Sequence, residues 1–148
     1  MSDNKVIPVR VAVRIRPLVK KEIEEGSRAF VNKIPSQPQV SINGSNEAFT
    51  FDYVFGPEQT QAEVYDTAVN KMVGKIFKGY NVTIVAYGQT GSGKTFTMGT
   101  ADCLNSVSSQ NSGIIQRAVK DLFLKMEQNG NLTYEVRVSF LEVVISLC

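Results

Sequence analysis

Short runs in which every second residue is apolar occupy the N-terminal part of the chain. From Val9 to Ile15 the apolar residues alternate with polar or small ones, which predicts a strand with one buried face, and Pro17 ends it. Further strands are predicted at residues 39–42 and from Phe49 to Phe55. Between them lies Asn43-Gly44, a pair of residues that favours a tight turn. We expect these later strands to form a small antiparallel side structure.

The middle and the end of the chain show helical spacing instead. Thr60 followed by Glu63 is a capping-box pattern, and the helix that it predicts stops at Gly79. The apolar positions of this helix are Val64, Ala68, Met72, Val73, Ile76 and Phe77. A second helix is predicted with Ser112 as its cap and an end near Asn129-Gly130. Its inner face comprises Ile114, Ile115, Ala118, Leu122 and Met126.

Three further segments complete the predicted architecture. Val82 to Ala86 is a short apolar run, as expected for a strand buried on both faces of a parallel sheet. Residues 100–112 are polar and without periodicity, which predicts an exposed loop, and alternation from Leu132 to Phe140 predicts the last strand. The order of these elements predicts an α/β sheet with helices on both faces, in one domain spanning residues 1–148.

Composition narrows the class of protein. The 148 residues are 43% hydrophobic and 20% charged, and 16 basic against 14 acidic residues give a net charge of +2. This balance offers no broad electrostatic case for nucleic acid or for an anionic membrane. Two cysteines, Cys103 and Cys148, and the absence of histidine favour neither a metal site nor a disulfide scaffold. With no signal peptide and no membrane-spanning run, we expect a soluble, unprocessed chain in a reducing cytoplasmic or nuclear setting.

One motif carries chemistry. Its residues, Gly88, Gln89, Thr90, Gly91, Ser92, Gly93, Lys94 and Thr95, fit the P-loop pattern G-x-x-x-x-G-K-S/T. The glycines let backbone N–H groups approach phosphates, Lys94 adds a charge on the β and γ oxygens, and the Thr95 hydroxyl is placed to coordinate Mg²⁺. Gln89, Thr90 and Ser92 are expected to contribute backbone donors. A flexible glycine loop that matches by accident is the alternative, and the position between a predicted buried strand and a helix start argues against it.

The residues around this loop resemble the kinesin motor domain. Tyr87 to Met98, Y-G-Q-T-G-S-G-K-T-F-T-M, is similar to the kinesin form of the motif. Arg14 to Pro17, R-I-R-P, resembles the family's R-x-R-P element, and Gly113 to Leu122 resembles the helix after its surface loop. Lys78 to Asn81, K-G-Y-N, looks most like the chromokinesin (kinesin-4) branch. The resemblance covers Val9 to about Glu142.

The resemblance implies a P-loop ATPase fold, ATP and Mg²⁺ as cofactors, and microtubules as the partner of the complete motor. It places Arg14, Arg16, Pro17 and Phe96 around the adenine, where a guanidinium plane, a proline face and an aromatic ring can pack on a purine. Without it, Arg14 and Arg16 would be solvated residues on a strand, Pro17 a strand stop and Phe96 a core residue. It also implies the cytoplasm and cytoskeleton as location, with the nucleus or spindle if the chromokinesin branch is right.

The sequence also departs from the family. Its two switch patterns, N-x-x-S-S-R-S-H and D-x-x-G, do not occur, and Phe140 to Glu142 continues into Val143 to Cys148 rather than I-Y-N-E. Gln116 replaces a common proline, which we expect to relax a helix start. We therefore expect a motor domain that is incomplete at its C-terminus, with weak binding to tubulin. Two functions stay open: the N-terminal part of a microtubule motor ATPase, or a nucleotide-binding fragment without turnover. A P-loop kinase or small GTPase is a weaker third, because no N-K-x-D follows.

Overall fold

The computed structural model describes residues 9–99, 110–130 and 132–142. The strands are β1 (Ala12–Arg14), β2 (Val31–Lys33), β3 (Gln39–Ile42), β4 (Ala48–Thr50) and β5 (Tyr53–Phe55). The helices are α1 (Lys20–Glu24), α2 (Gln61–Val64), α3 (Asn70–Ile76), α4 (Lys94–Met98) and α5 (Ile114–Gln128). A π-helical turn, Tyr65–Val69, joins α2 to α3. Strands and helices are mixed, consistent with the predicted α/β class, and none of the described helices could cross a membrane.

The strands form two small sheets. β2, β3 and β4 are antiparallel, as predicted for the side structure, whereas β5 pairs in parallel with β1. The predicted grouping of Phe49 to Phe55 was therefore wrong, because this run divides between the two sheets. The division falls at Asp52, whose carboxylate accepts a hydrogen bond from the Val11 backbone N–H at 2.8 Å and so directs the chain toward β1.

Local motifs fix both ends of the long helix from α2 to α3. The Thr60 hydroxyl accepts from the Glu63 N–H at 3.2 Å, and the Glu63 carboxylate accepts from the Thr60 N–H at 2.7 Å, as the capping box predicted. The Thr60 N–H and the Thr60 hydroxyl, which both donate to the Glu63 carboxylate, lower the pKa of Glu63. Gly79 has a φ of 83°, and its N–H donates to the Ile76 carbonyl at 2.9 Å, which ends the helix where predicted.

The core lies between this helix and α5. Its buried cluster consists of Tyr65, Val69, Val73 and Ile114, so the π-helical turn supplies two of the four members. The Tyr65 hydroxyl donates to Asp121 on α5 at 3.0 Å, and burial together with this carboxylate raises the pKa of Tyr65. The hydrogen bond and the apolar contacts hold the two helices together.

The start of α5 differs from the prediction. The N-cap is Gly113 and not Ser112, and the Gly113 backbone is extended just before the helix begins. Ser112 lies one position earlier and is buried, with 3% exposure. Gln116 does not relax the helix start but closes it, since its side-chain oxygen accepts from the Gly113 N–H at 3.1 Å. Ile115 is 50% exposed and was wrongly assigned to the inner face. Most of the predicted loop at 100–112 lies outside the described residues.

Two predicted strands are absent from the described sheets. Neither Val82–Ala86 nor the segment from Leu132 to Phe140 has a ladder partner among the described residues. A strand of a parallel sheet is buried on both faces only when other elements pack on each of them, and Val82–Ala86 is covered on one side. Ile84 accordingly packs against the core while Val85 is 79% exposed.

Candidate functional site

The segment from Gly88 to Thr95 is a tight loop that runs into α4. Its three glycines all have positive φ angles, 151° at Gly88, 79° at Gly91 and 97° at Gly93. A side chain is strained at such angles, so the path of the loop requires glycine. A Cβ at Gly88 would also lie 2.6 Å from the Ser92 Oγ atom, so the Ser92 side chain would have to move to admit it. The loop is thus built for close approach of backbone atoms.

Lys94 closes over this loop. Its Nζ atom donates to the carbonyl oxygens of Gly88 at 2.7 Å and Gln89 at 2.9 Å, so the ammonium finds its acceptors within its own loop. The Ser92 N–H donates to the Gln89 carbonyl at 3.2 Å and adds a turn. The exposed members of the loop are Gln89, Thr90, Gly91 and Thr95.

A cavity of about 640 Å³ lies beside the loop, with Ser92 and Gly93 on one side. The four residues that the resemblance assigns to the adenine all line it: Arg14, Arg16, Pro17 and Phe96. Its volume falls within the range of small-molecule sites, roughly 300–1,000 Å³. The fold therefore brings the end of β1 and helix α4, which are far apart in the sequence, to one cavity next to the glycine loop.

The Arg14 guanidinium forms part of one wall. It donates to Gln61 Oε1 at 2.6 Å, to Thr97 Oγ1 at 3.0 Å and to the Gln59 carbonyl at 3.4 Å. Its Cζ atom lies 5.2 Å from the centroid of the Phe96 ring, within cation–π range. Burial lowers the pKa of Arg14, which stays a cation at neutral pH. A solvated position on a strand face is therefore wrong for Arg14.

Arg16 is paired with a carboxylate. Its two terminal nitrogens contact the Glu22 oxygens at 2.6 and 3.0 Å, and Glu22 also accepts from the Val19 N–H at 2.8 Å. The hydrogen bond from Arg16 is the main reason why the pKa of Glu22 falls to about 2. This pair ties α1 to the end of β1. The aliphatic part of Arg16 faces Gly93, where a Cβ would lie 3.8 Å from its Cδ atom.

A buried glutamine that the sequence analysis missed completes the wall. Gln61 is 4% exposed, and its amide contacts Arg14, the Phe96 carbonyl and the Asn111 carbonyl. The helical spacing of apolar residues in the sequence did indicate that Gln61 is special. Gln61 lies one turn before Val64 on the apolar face of the helix, and a polar residue on such a face needs a hydrogen-bond partner.

A metal ion has few protein ligands here. Among the residues that the structure describes, no cluster of three acidic, histidine or cysteine residues could hold one. Thr95, the last residue of the loop, is exposed and carries a hydroxyl group that could serve as a neutral oxygen ligand. A hard cation at this site would have to take most of its oxygen ligands from a bound molecule or from water.

Comparison with known proteins places these features in a family. The model of the kinesin motor domain matches residues 14–146. The chain is 45% identical over 142 residues to the human chromosome-associated kinesin KIF4A, covering 96% of this chain and 11% of that protein. It is 48% identical over 142 residues to the Gallus gallus chromosome-associated kinesin KIF4, with coverage of 96% and 11%. It is 44% identical over 137 residues to the Mus musculus kinesin-like protein KIF27, with coverage of 93% and 10%. The chain thus spans about a tenth of the length of these relatives.

Proposed function

Because this chain belongs to the kinesin motor domain family, we propose that residues 88–95 bind the phosphates of ATP and that the adjacent cavity takes the adenine base. The observation that carries this proposal is the glycine loop with Lys94 resting on the Gly88 and Gln89 carbonyls. Phosphate oxygens are charged and are stronger acceptors than these carbonyls. Lys94 would therefore exchange its carbonyl contacts for the β and γ oxygens, while backbone N–H groups of the loop supply further donors.

Mg²⁺ would enter this site with the nucleotide. The Thr95 hydroxyl fits the role of its protein ligand from this segment, because it is exposed and directly follows Lys94. When bound, the ion would neutralise part of the negative charge on the phosphate oxygens.

The base would meet a wall of planar and rigid groups. Arg14 lies over the Phe96 ring, and Pro17 adds an apolar face to the same cavity. Arg16 would contribute differently from the other three, because Glu22 occupies its guanidinium. Its aliphatic part, facing Gly93, would shape the passage from the base to the phosphates.

The function of the complete protein extends this proposal. Residues 1–148 would form the N-terminal part of a motor domain that couples ATP binding and hydrolysis to movement on microtubules. We expect the complete protein in the cytoplasm on the cytoskeleton, and relatives named chromosome-associated kinesins support the nucleus or the spindle as a further location.

Nucleotide binding without turnover is the second candidate for the chain by itself. The segment leading into the glycine loop, Val82–Ala86, has no ladder partner among the described residues, and Tyr87 is 99% exposed. Phosphoryl transfer depends on groups held in fixed positions. A loop that follows an unpaired segment would hold its phosphates less rigidly, which favours binding over catalysis.

Titration with a fluorescent ATP analogue tests the phosphate site. Lys94→Ala should weaken binding about 10- to 100-fold, because a charge-assisted contact is worth about 1.5–3 kcal/mol. Lys120→Ala, at an exposed position on α5, is the matched control and should bind like the unchanged chain. Equal affinities of Lys94→Ala and the unchanged chain would overturn the proposal. Thr95→Ala should lower affinity more with Mg²⁺ than with EDTA, and equal losses would exclude Thr95 from the metal site.

A further inference from the structure

We infer that Gln61 is the positioning residue of the base-binding wall and that it connects this wall to the segment before α5. The inference rests on the proposed nucleotide site, since it assigns Gln61 a part in recognising the base. Gln61 would act through Arg14 and Phe96, whose relative position it fixes.

Gln61 uses its whole side-chain amide. Its Oε1 atom accepts from Arg14 Nη1 at 2.6 Å, and its Nε2 atom donates to the carbonyls of Phe96 at 2.5 Å and Asn111 at 3.2 Å. A primary amide has two N–H protons, so each has a carbonyl acceptor. Because Gln61 is only 4% exposed, water cannot replace a lost partner. These contacts fix the amide in one orientation.

The amide holds the two sides of the wall at a set distance. Arg14 is the last residue of β1 and Phe96 lies in α4, so their contact joins two separate elements. A cation–π contact is tolerant of small shifts of the cation. Hydrogen bonds are more directional, and Gln61 makes one to the Arg14 guanidinium and one to the Phe96 backbone. The amide and the Thr97 hydroxyl, which accepts from the same Arg14 nitrogen, therefore set where the guanidinium lies over the ring.

The third contact of Gln61 reaches the segment before α5. Asn111 accepts from the amide, and the next residue, Ser112, accepts from Arg117 Nε on α5 at 2.8 Å. The buried side chain of Gln61 thus joins the base-binding wall directly to residues 111–112, which precede α5.

Gln61→Met tests the inference, because it keeps the length of the side chain and removes its amide. The purified chain is titrated with Mg-ATP and with Mg-tripolyphosphate, which carries the phosphates without a base, each in competition with a fluorescent ATP analogue. Gln61→Met should weaken Mg-ATP about tenfold and leave Mg-tripolyphosphate within about twofold. Gln128→Met, at the exposed end of α5, is the matched control and should change neither ligand.

A double-mutant cycle separates positioning from general damage. If Gln61 acts through Arg14, Gln61→Met should cause no further loss of ATP affinity in a chain that already carries Arg14→Ala. Additive losses, or equal losses for ATP and tripolyphosphate, would overturn the inference. If Gln61→Met does not fold, Gln61→Glu replaces it, because the carboxylate keeps an acceptor for Arg14 and loses the donor to the Phe96 carbonyl. A loss of about threefold for Mg-ATP without a loss for Mg-tripolyphosphate then supports the inference, and an unchanged affinity for Mg-ATP overturns it. Failure of the proposed function looks different: the unchanged chain would bind neither ligand, and the inference would fall with it.

Discussion

Replacement of Gly113 by alanine should destabilise the chain, although the backbone angles at this position suit alanine. Its φ is −82° and its ψ is −168°, an extended conformation that any residue adopts. The obstacle is space, because a Cβ would lie 2.5 Å from the Gly99 Cα atom and 2.6 Å from the carbonyl carbon of Met98. Carbon atoms in contact are normally about 3.5–4.0 Å apart, so α4 and α5 would have to separate by about 1 Å.

The size of the effect follows from the kind of atom involved. Overpacking costs about 1–3 kcal/mol, and we expect the upper part of this range, about 2–3 kcal/mol, because backbone atoms cannot move aside by a change of rotamer. For a chain of this length, 1 kcal/mol corresponds to about 2–4 °C in Tm, so Tm should fall by about 4–12 °C. Gly74→Ala should instead stabilise the chain, since Gly74 lies inside α3 and its Cβ would meet nothing within 4 Å. It should raise stability by about 0.5–1 kcal/mol.

Thermal unfolding followed by circular dichroism, at one protein concentration, measures the Tm of the unchanged chain and of each glycine variant. Gly130→Ala is the neutral control, because its Cβ would lie 3.7 Å from the nearest atom, the Glu127 carbonyl oxygen. Equal unfolding temperatures of Gly113→Ala and Gly130→Ala would contradict this expectation. That result would mean that the junction of α4 and α5 accommodates a methyl group without separation.

Three further predictions concern other parts of the chain. Thr60→Ala should lower the free energy of unfolding by about 1 kcal/mol through loss of the cap on α2, and the exposed Thr133→Ala should not; urea unfolding compares them. The destabilisation caused by Glu22→Gln should be largest above pH 5 and fade as the pH falls from about 4.5 toward 2, because folding depresses the pKa of Glu22 to about 2. A difference in urea midpoint of equal size at pH 6 and pH 2 would contradict this. The purified 148-residue chain should release phosphate from ATP at the same rate with and without microtubules, because neither switch pattern occurs in its sequence. Clear stimulation would mean that the chain completes its active site by another route.

The elements that the sequence predicted correctly depend on neighbouring residues. The cap at Thr60 joins residues three positions apart, and the stop at Gly79 depends on one left-handed residue. The glycine loop is likewise one continuous segment, so its motif could be recognised without knowledge of the fold. Strand β3 was predicted with its observed bounds, because alternation and the turn after it are both local.

The features that the sequence did not predict depend on contacts between residues far apart in the chain. The choice of β5 to pair with β1 rests on Asp52 and Val11, which alternation cannot connect. The gathering of Arg14 and Phe96 at one cavity was expected only from the family resemblance. Gln61 was missed for the same reason, since its partners lie on three other segments of the chain.

The π-helical turn between α2 and α3 has an evolutionary consequence. A π turn holds one residue more than an α turn between its hydrogen-bonded groups. Because Thr60 and Gly79 fix the two ends of this helix, an inserted residue has to be absorbed between them, and Tyr65–Val69 is where the helix has room for it. Loss of one codon within Tyr65–Val69 would therefore convert this turn to α-helical spacing, while Thr60 and Gly79 would still fix the two ends of the helix.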